Sequence, residues 1–101
     1  PDLARCGGFT VARQIALLER SSGVEIVPHC FSTGILTAAS LHAVANQPNT
    51  DLIEFSEQGS PLNRNLVTPA FRAVDGIVTV PDTPGLGVEL DEETLARYRV
   101  A

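Results

Sequence analysis

Three ionisable residues recur along this chain at nearly one interval, and that interval constrains the fold more than any other feature. His29 directly follows the apolar run Val24-Glu25-Ile26-Val27 and its Pro28, and it directly precedes the small residues that open an Ala-rich helix. Asp2 stands 27 positions before it and Glu54 25 positions after it, each at or near the end of a possible strand. A strand, a helix and their turns consume roughly 25 to 30 residues. The spacing therefore predicts an α/β chain in which Asp2, His29 and Glu54 share one face at the carboxyl ends of adjacent parallel strands. Catalytic side chains collect at that end of such sheets and barrels.

The strand–helix pattern is traceable along the first half. Residues 1–4 are expected as a strand remnant, Gly7-Gly8 as a turn and Thr10 as the cap of a helix with Val11, Ile15 and Leu18 on its apolar face. Ser21-Ser22-Gly23 ends that helix. A strand over 24–28 and a helix over about 34–46 follow. The helix is apolar nearly all round, a pattern that needs both a sheet and a further layer of protein against it. Asp51-Leu52-Ile53-Glu54-Phe55 is the next strand. Beyond Phe55 the pattern changes: a loop leads to Asp75-Gly76, a strand-like run over 77–80, the turn-rich Pro81 to Gly87, and Val88-Glu89-Leu90. Asp91 is the predicted cap of a short helix from Glu92 to Tyr98.

Length and charge narrow the function. A closed strand–helix barrel needs about 250 residues, so 101 residues supply its last two or three units. The chain begins on Pro1 at what is expected to be the tail of a strand, as a fragment would. A net charge of -5 with seven scattered basic residues excludes nucleic acid as the expected partner, because phosphate binding needs clustered cations. No apolar run approaches the ~20 residues of a membrane span. Cys6 and Cys30 are expected as free thiols in a reducing, cytoplasmic setting.

The candidate residues suit acid–base chemistry. Histidine titrates near neutrality, and an aspartate on its far ring nitrogen fixes the tautomer and favours the imidazolium. Taken singly, His29 is a strand-end histidine, Asp2 a helix cap and Glu54 an edge charge; their shared spacing favours a site. His42, in mid-helix, is expected to pack. Cys30 is discounted as a nucleophile because adjacent residues on an extended segment face opposite sides. No zinc spacing or dinucleotide fingerprint is present.

The stretches Asp2-Leu3-Ala4-Arg5-Cys6-Gly7-Gly8-Phe9-Thr10, Val27-Pro28-His29, Leu52-Ile53-Glu54 and Pro84-Gly85-Leu86-Gly87-Val88 together resemble the carboxyl-terminal part of the mandelate racemase subgroup of the enolase superfamily. The resemblance covers nearly the whole chain. It implies the carboxyl-terminal portion of a modified TIM-type (β/α)7β barrel plus the tail that returns to a capping domain. Residues 1–55 would run from the end of strand six through strand eight, and 56–101 would be the return segment. It further implies a Mg²⁺-dependent enzyme that removes a proton next to a carboxylate, with the metal's carboxylate ligands and a Lys-x-Lys pair on earlier strands outside this chain.

In that reading His29 is the catalytic histidine, Asp2 its partner and Glu54 the residue that hydrogen-bonds the substrate carboxylate. Arg5, Phe31, Ser32 and Thr33 are candidate pocket residues. The expected activity is acid-sugar dehydration of a small hydroxy-carboxylate, by a homo-oligomer at full length. A 2-hydroxy acid racemase or epimerase and a noncatalytic scaffold relative are the alternatives, and the fragment alone is expected to be inactive.

Overall fold

The computed structural model describes residues 1–100. A short helix α1 (Leu3–Cys6) leads through Gly7 into α2 (Gly8–Ser22). After an intervening run comes α3 (Gly34–Ala45), and the second half contributes α4 (Pro61–Arg64), β1 (Val67–Thr68), β2 (Glu89–Leu90) and α5 (Glu92–Tyr98). Among the described residues, no helix is long and apolar enough to cross a membrane.

Three segments lie side by side at the centre of the first half. The His29 amide donates to the Pro1 carbonyl at 2.9 Å, and the Glu54 amide donates to the Pro28 carbonyl at 3.3 Å. The order across the molecule is thus residue 1, residues 28 and 29, then residue 54, with a helical crossover between each pair, as in parallel strand–helix units. Ile26, Pro28 and Cys30 are buried while Val27, His29 and Phe31 are exposed, the period-two burial of extended backbone.

The expected strands at 24–28 and 51–55 are nonetheless not regular ladders. Pro28 has no N–H to give. Side chains tie the two segments together near their starts instead: Asn49 donates to the Val24 carbonyl at 3.1 Å and Thr50 to the Glu25 carboxylate at 3.0 Å. The predicted strand remnant at 1–4 is likewise corrected. Asp2 caps α1 by accepting from the Ala4 amide, which turns the chain into a helix at once.

α2 begins earlier than the Thr10 cap predicts. Gly7 and Gly8 both take positive φ, 111° and 74°, so the chain reverses directly out of α1 and Gly7 itself becomes the cap. A Cβ on Gly7 would meet Val11 Cγ2 at 2.8 Å, a second reason for glycine there. The helix ends as expected, at Gly23 in the left-handed region with its N–H on the Arg20 and Glu19 carbonyls. Leu18, expected on the apolar face, is 70% exposed, and Ala16 is the buried position instead. Small residues let α2 approach closely: Ala12 packs with Ala39, Ala43 and Ile53 around the core of Leu3, Cys30 and Leu36.

α3 buries Leu36, Thr37, Ala38, Ser40, Leu41 and Val44 around most of its circumference. Its further layer includes the chain's own later segment, with Val67 and Leu86. His42 Nε2 lies 3.2 Å from the Leu86 carbonyl, and Gly34 faces Val67 so closely that a Cβ would meet Val67 Cγ2 at 2.6 Å. In this segment β1 pairs antiparallel with β2, Val67 opposite Leu90 and Thr68 opposite Glu89. The expected strand at 77–80 is not formed. Asp75-Gly76, with φ of 51° and 78°, makes a tight turn closed by the Val74–Ile77 bridge, and pairing stops there. Asp91 caps α5 from the Thr94 amide at 2.8 Å, as its position predicts.

The Gly34–Val67 contact makes a direct prediction. Gly34→Ala must displace β1 or the first turn of α3, and should destabilise the protein by about 1–3 kcal/mol in thermal or urea unfolding. An unchanged midpoint would show that the contact yields freely.

Candidate active site

Asp2 is placed by its helix-capping role. Its Oδ1 accepts from the Ala4 amide at 2.9 Å, which turns Oδ2 toward the neighbouring segment. There His29 Nδ1 lies 3.2 Å from Oδ2, across 27 positions of sequence. The aspartate side chain is only 13% exposed and the histidine 51% exposed. With Asp2 ionised, Nδ1 carries the proton and donates it, so Nε2 keeps its lone pair. The imidazole is half exposed, and the dyad can therefore take up a proton at Nε2 and hold the resulting charge against Asp2.

Arg5 reaches the same oxygen, Nε to Oδ2 at 3.6 Å, with its own side chain 86% exposed. Phe31 stands beside the imidazole, ring centroids 4.8 Å apart. The structure thus gathers Asp2, His29, Arg5 and Phe31. Glu54 adjoins them through the backbone, one segment across from His29, and its residue is exposed. Ser32 is exposed without a bond to the dyad, and the Thr33 hydroxyl accepts from the Leu36 amide at 3.2 Å as the cap of α3.

Cys30 points the other way, into the core, where its thiol donates to the Glu54 carbonyl. Burial pushes the thiol up to about 11, with the Glu54 and Asp2 charges adding to the rise and a Thr37 hydrogen bond opposing it. Such a thiol is a packing group, not a nucleophile. Asn63 is a residue the sequence pattern did not single out. It is buried, and its amide donates to the Cys30 carbonyl and to Thr37 Oγ1, each at 3.4 Å. Its one sequence signal is the Ser60-Pro61 start of a helix that places it at the first turn.

An apolar cavity of about 260 Å³, bounded by Leu3, Phe9, Ala12, Ile26, Pro28 and His42, has none of Asp2, His29 or Glu54 in its wall. The dyad faces an open side instead. Among the described residues no three His, Cys, Asp or Glu converge as metal ligands.

A histidine beside a carboxylate, on one of three side-by-side extended segments joined by helical crossovers, fits the carboxyl-terminal portion of an α/β barrel. A family model described as enolase C-terminal domain-like matches residues 1–94, and the chain belongs to that family, in its mandelate racemase branch. It is 37% identical over 108 residues to a D-galactarolactone cycloisomerase of Agrobacterium fabrum, covering 99% of this chain and 29% of that protein. A D-galactonate dehydratase of Xanthomonas euvesicatoria is 36% identical over 103 residues, covering 96% and 27%.

Among solved structures, the 3,6-anhydro-D-galactonate cycloisomerase of Zobellia galactanivorans superposes with a TM-score of 0.86 at 34% identity, over 97% of this chain and 28% of that one. A mandelate racemase/muconate lactonizing enzyme of Jannaschia sp. CCS1 gives 0.87 at 33%, over 100% and 26%. The chain therefore spans under a third of the length of these relatives.

The Cys30 environment predicts an alkaline weakness. As the folded thiol titrates above its ordinary value of 9.0, the unfolded chain loses that proton first as pH rises. The stabilisation is intact below 9.0 and declines as pH climbs toward about 11. Urea midpoints on either side of this window should fall for the wild type and fall less for Cys30→Ala. Iodoacetamide should label Cys6 before Cys30.

Proposed function

We propose that this chain is the carboxyl-terminal part of a Mg²⁺-dependent enzyme that removes the proton α to the carboxylate of an acid sugar and expels the oxygen on the next carbon. His29 exchanges the proton at Nε2, and Asp2 orients it and stabilises its charged form. Glu54 hydrogen-bonds the substrate carboxylate. Two carboxyl groups share such a bond only with a proton between them. Arg5, Ser32 and Thr33 line the pocket beside the dyad, and the metal takes its ligands from residues outside this chain.

The observation that carries the reading is the 3.2 Å contact of His29 Nδ1 with an aspartate held by its own helix cap. A carbon acid beside a carboxylate is weak, and a positioned base near neutrality contributes about 10²- to 10⁴-fold to its ionisation. The C–H electrons form the new double bond as the bond to the neighbouring oxygen breaks. The imidazolium then returns its proton to that oxygen. Where the oxygen is a hydroxyl, water leaves and the enzyme is a dehydratase, the reading supported by the galactonate dehydratase relatives. Where it is a ring oxygen, the same elimination opens the ring and nothing is lost. The cycloisomerases at 37% and 34% identity favour that second reading.

In the Mg²⁺-loaded full-length enzyme, acid sugars and their lactone or anhydro forms should exchange the α-proton in D₂O. His29→Asn should lower exchange by about 10²- to 10⁴-fold, and Asp2→Asn by at least about 10²-fold. A product lighter by one water identifies the dehydratase, and one of unchanged mass the ring opening. Equal exchange with and without His29 would remove it from the reaction. No exchange with any substrate would favour a noncatalytic relative.

A further inference from the structure

His29 has one directional tether and an otherwise half-exposed ring. Rotation about the last torsion of a histidine is broad and roughly two-fold, so a single 3.2 Å bond from Nδ1 to Asp2 does not by itself confine the imidazole. The second restraint comes from two positions further along. Cys30 is anchored on the core side, its thiol on the Glu54 carbonyl and its own carbonyl under Asn63. With Cys30 fixed inward, His29 and Phe31 project outward together, as residues i and i+2 of extended backbone must. Their rings meet at a centroid distance of 4.8 Å and an inclination of 50°, within the range of attractive tilted aromatic pairs.

We infer that Phe31 is a positioning residue for His29, its ring holding the imidazole in the orientation that sets Nδ1 on Asp2 and leaves Nε2 to the open side of the site. This rests on the reading of His29 as the acid–base group. It assigns Phe31 a role through the histidine rather than through contact with substrate. Arg5 cannot do the same work, because it reaches the dyad only through Asp2 Oδ2 and is almost wholly in solvent.

The test uses the full-length enzyme labelled with ¹⁵N-histidine, with His29→Asn to identify the His29 signals. His42, whose Nε2 is engaged by Leu86, is the internal control for the fold. The wild type should show a single Nδ1-protonated tautomer at His29. Phe31→Leu should move those signals toward the tautomer mixture of a free imidazole and leave His42 unmoved, and Phe31→Tyr should restore them. In the exchange assay Phe31→Leu should lower kcat by about two- to tenfold with KM unchanged.

Unchanged His29 signals in Phe31→Leu would overturn the inference. So would a rise in KM with kcat intact, which would make Phe31 a substrate contact. If His29→Asn abolishes exchange while Phe31→Leu changes neither signals nor kcat, only this inference falls. If His29→Asn leaves exchange intact, the functional reading falls instead.

Discussion

Two backbone hydrogen bonds set the register on which everything else depends, His29 to Pro1 and Glu54 to Pro28. Each contributes on the order of 1 kcal/mol, too little to close a loop that carries a helix. The energy comes from the packing behind them, where Leu3, Cys30 and Leu36 meet the small residues Ala12, Ala39 and Ala43. The bonds decide which side chains that packing buries. A slip of one residue in the middle segment would send His29 into the core and Cys30 out to the open face, because the side-chain period is two. Burial of Ile26, Pro28 and Cys30 is thus the same fact as exposure of Val27, His29 and Phe31.

Asp2 shows how a structural and a chemical role coexist in one side chain. A carboxylate has two oxygens, and α1 uses one of them. The cap is what gives the second oxygen a defined position, since Oδ1 on the Ala4 amide leaves Oδ2 with a single direction toward His29. α1 can be this short because Gly7 and Gly8 accept positive φ and let α2 begin at once. The sequence Asp2 to Gly8 therefore acts as one device, a capped turn of helix that ends where it has delivered its carboxylate.

That Asp2 and His29 stand on neighbouring segments was legible in the sequence because strand–helix units have a nearly fixed length. The partnership of the two side chains was implied by the family resemblance, and the structure sets them 3.2 Å apart. The caps at Gly23 and Asp91 and the span of α3 were legible from local backbone chemistry. Other features depended on partners the pattern does not name. Thr10 has capping chemistry, but the glycine pair upstream had already turned the chain. Leu18 keeps helical spacing with Val11, yet α2 rests on its alanines because they permit the closer approach. The run at 77–80 has strand composition without a neighbour to pair with. β1, composed of only Val67 and Thr68, pairs because Glu89 and Leu90 lie opposite it. Strand propensity is satisfied or not by tertiary position, and two residues of sequence carry no such information.

Asn63 belongs to the same class, since a lone asparagine signals nothing until its partners are known. It stands 33 positions beyond Cys30 and bonds its carbonyl, and it also bonds Thr37 in the first turn of α3. Those two groups flank the stretch from Cys30 to Thr37, so one amide bridges both ends of the turn that carries Phe31, Ser32 and the Thr33 cap. The Gly34–Val67 contact braces the same turn from β1. A site on an open face needs its backbone held from behind, because its exposed side chains have few neighbours of their own. Asn63 and Val67 supply that support. The placement of the dyad therefore depends on residues of the second half that carry no part of the proposed proton transfer.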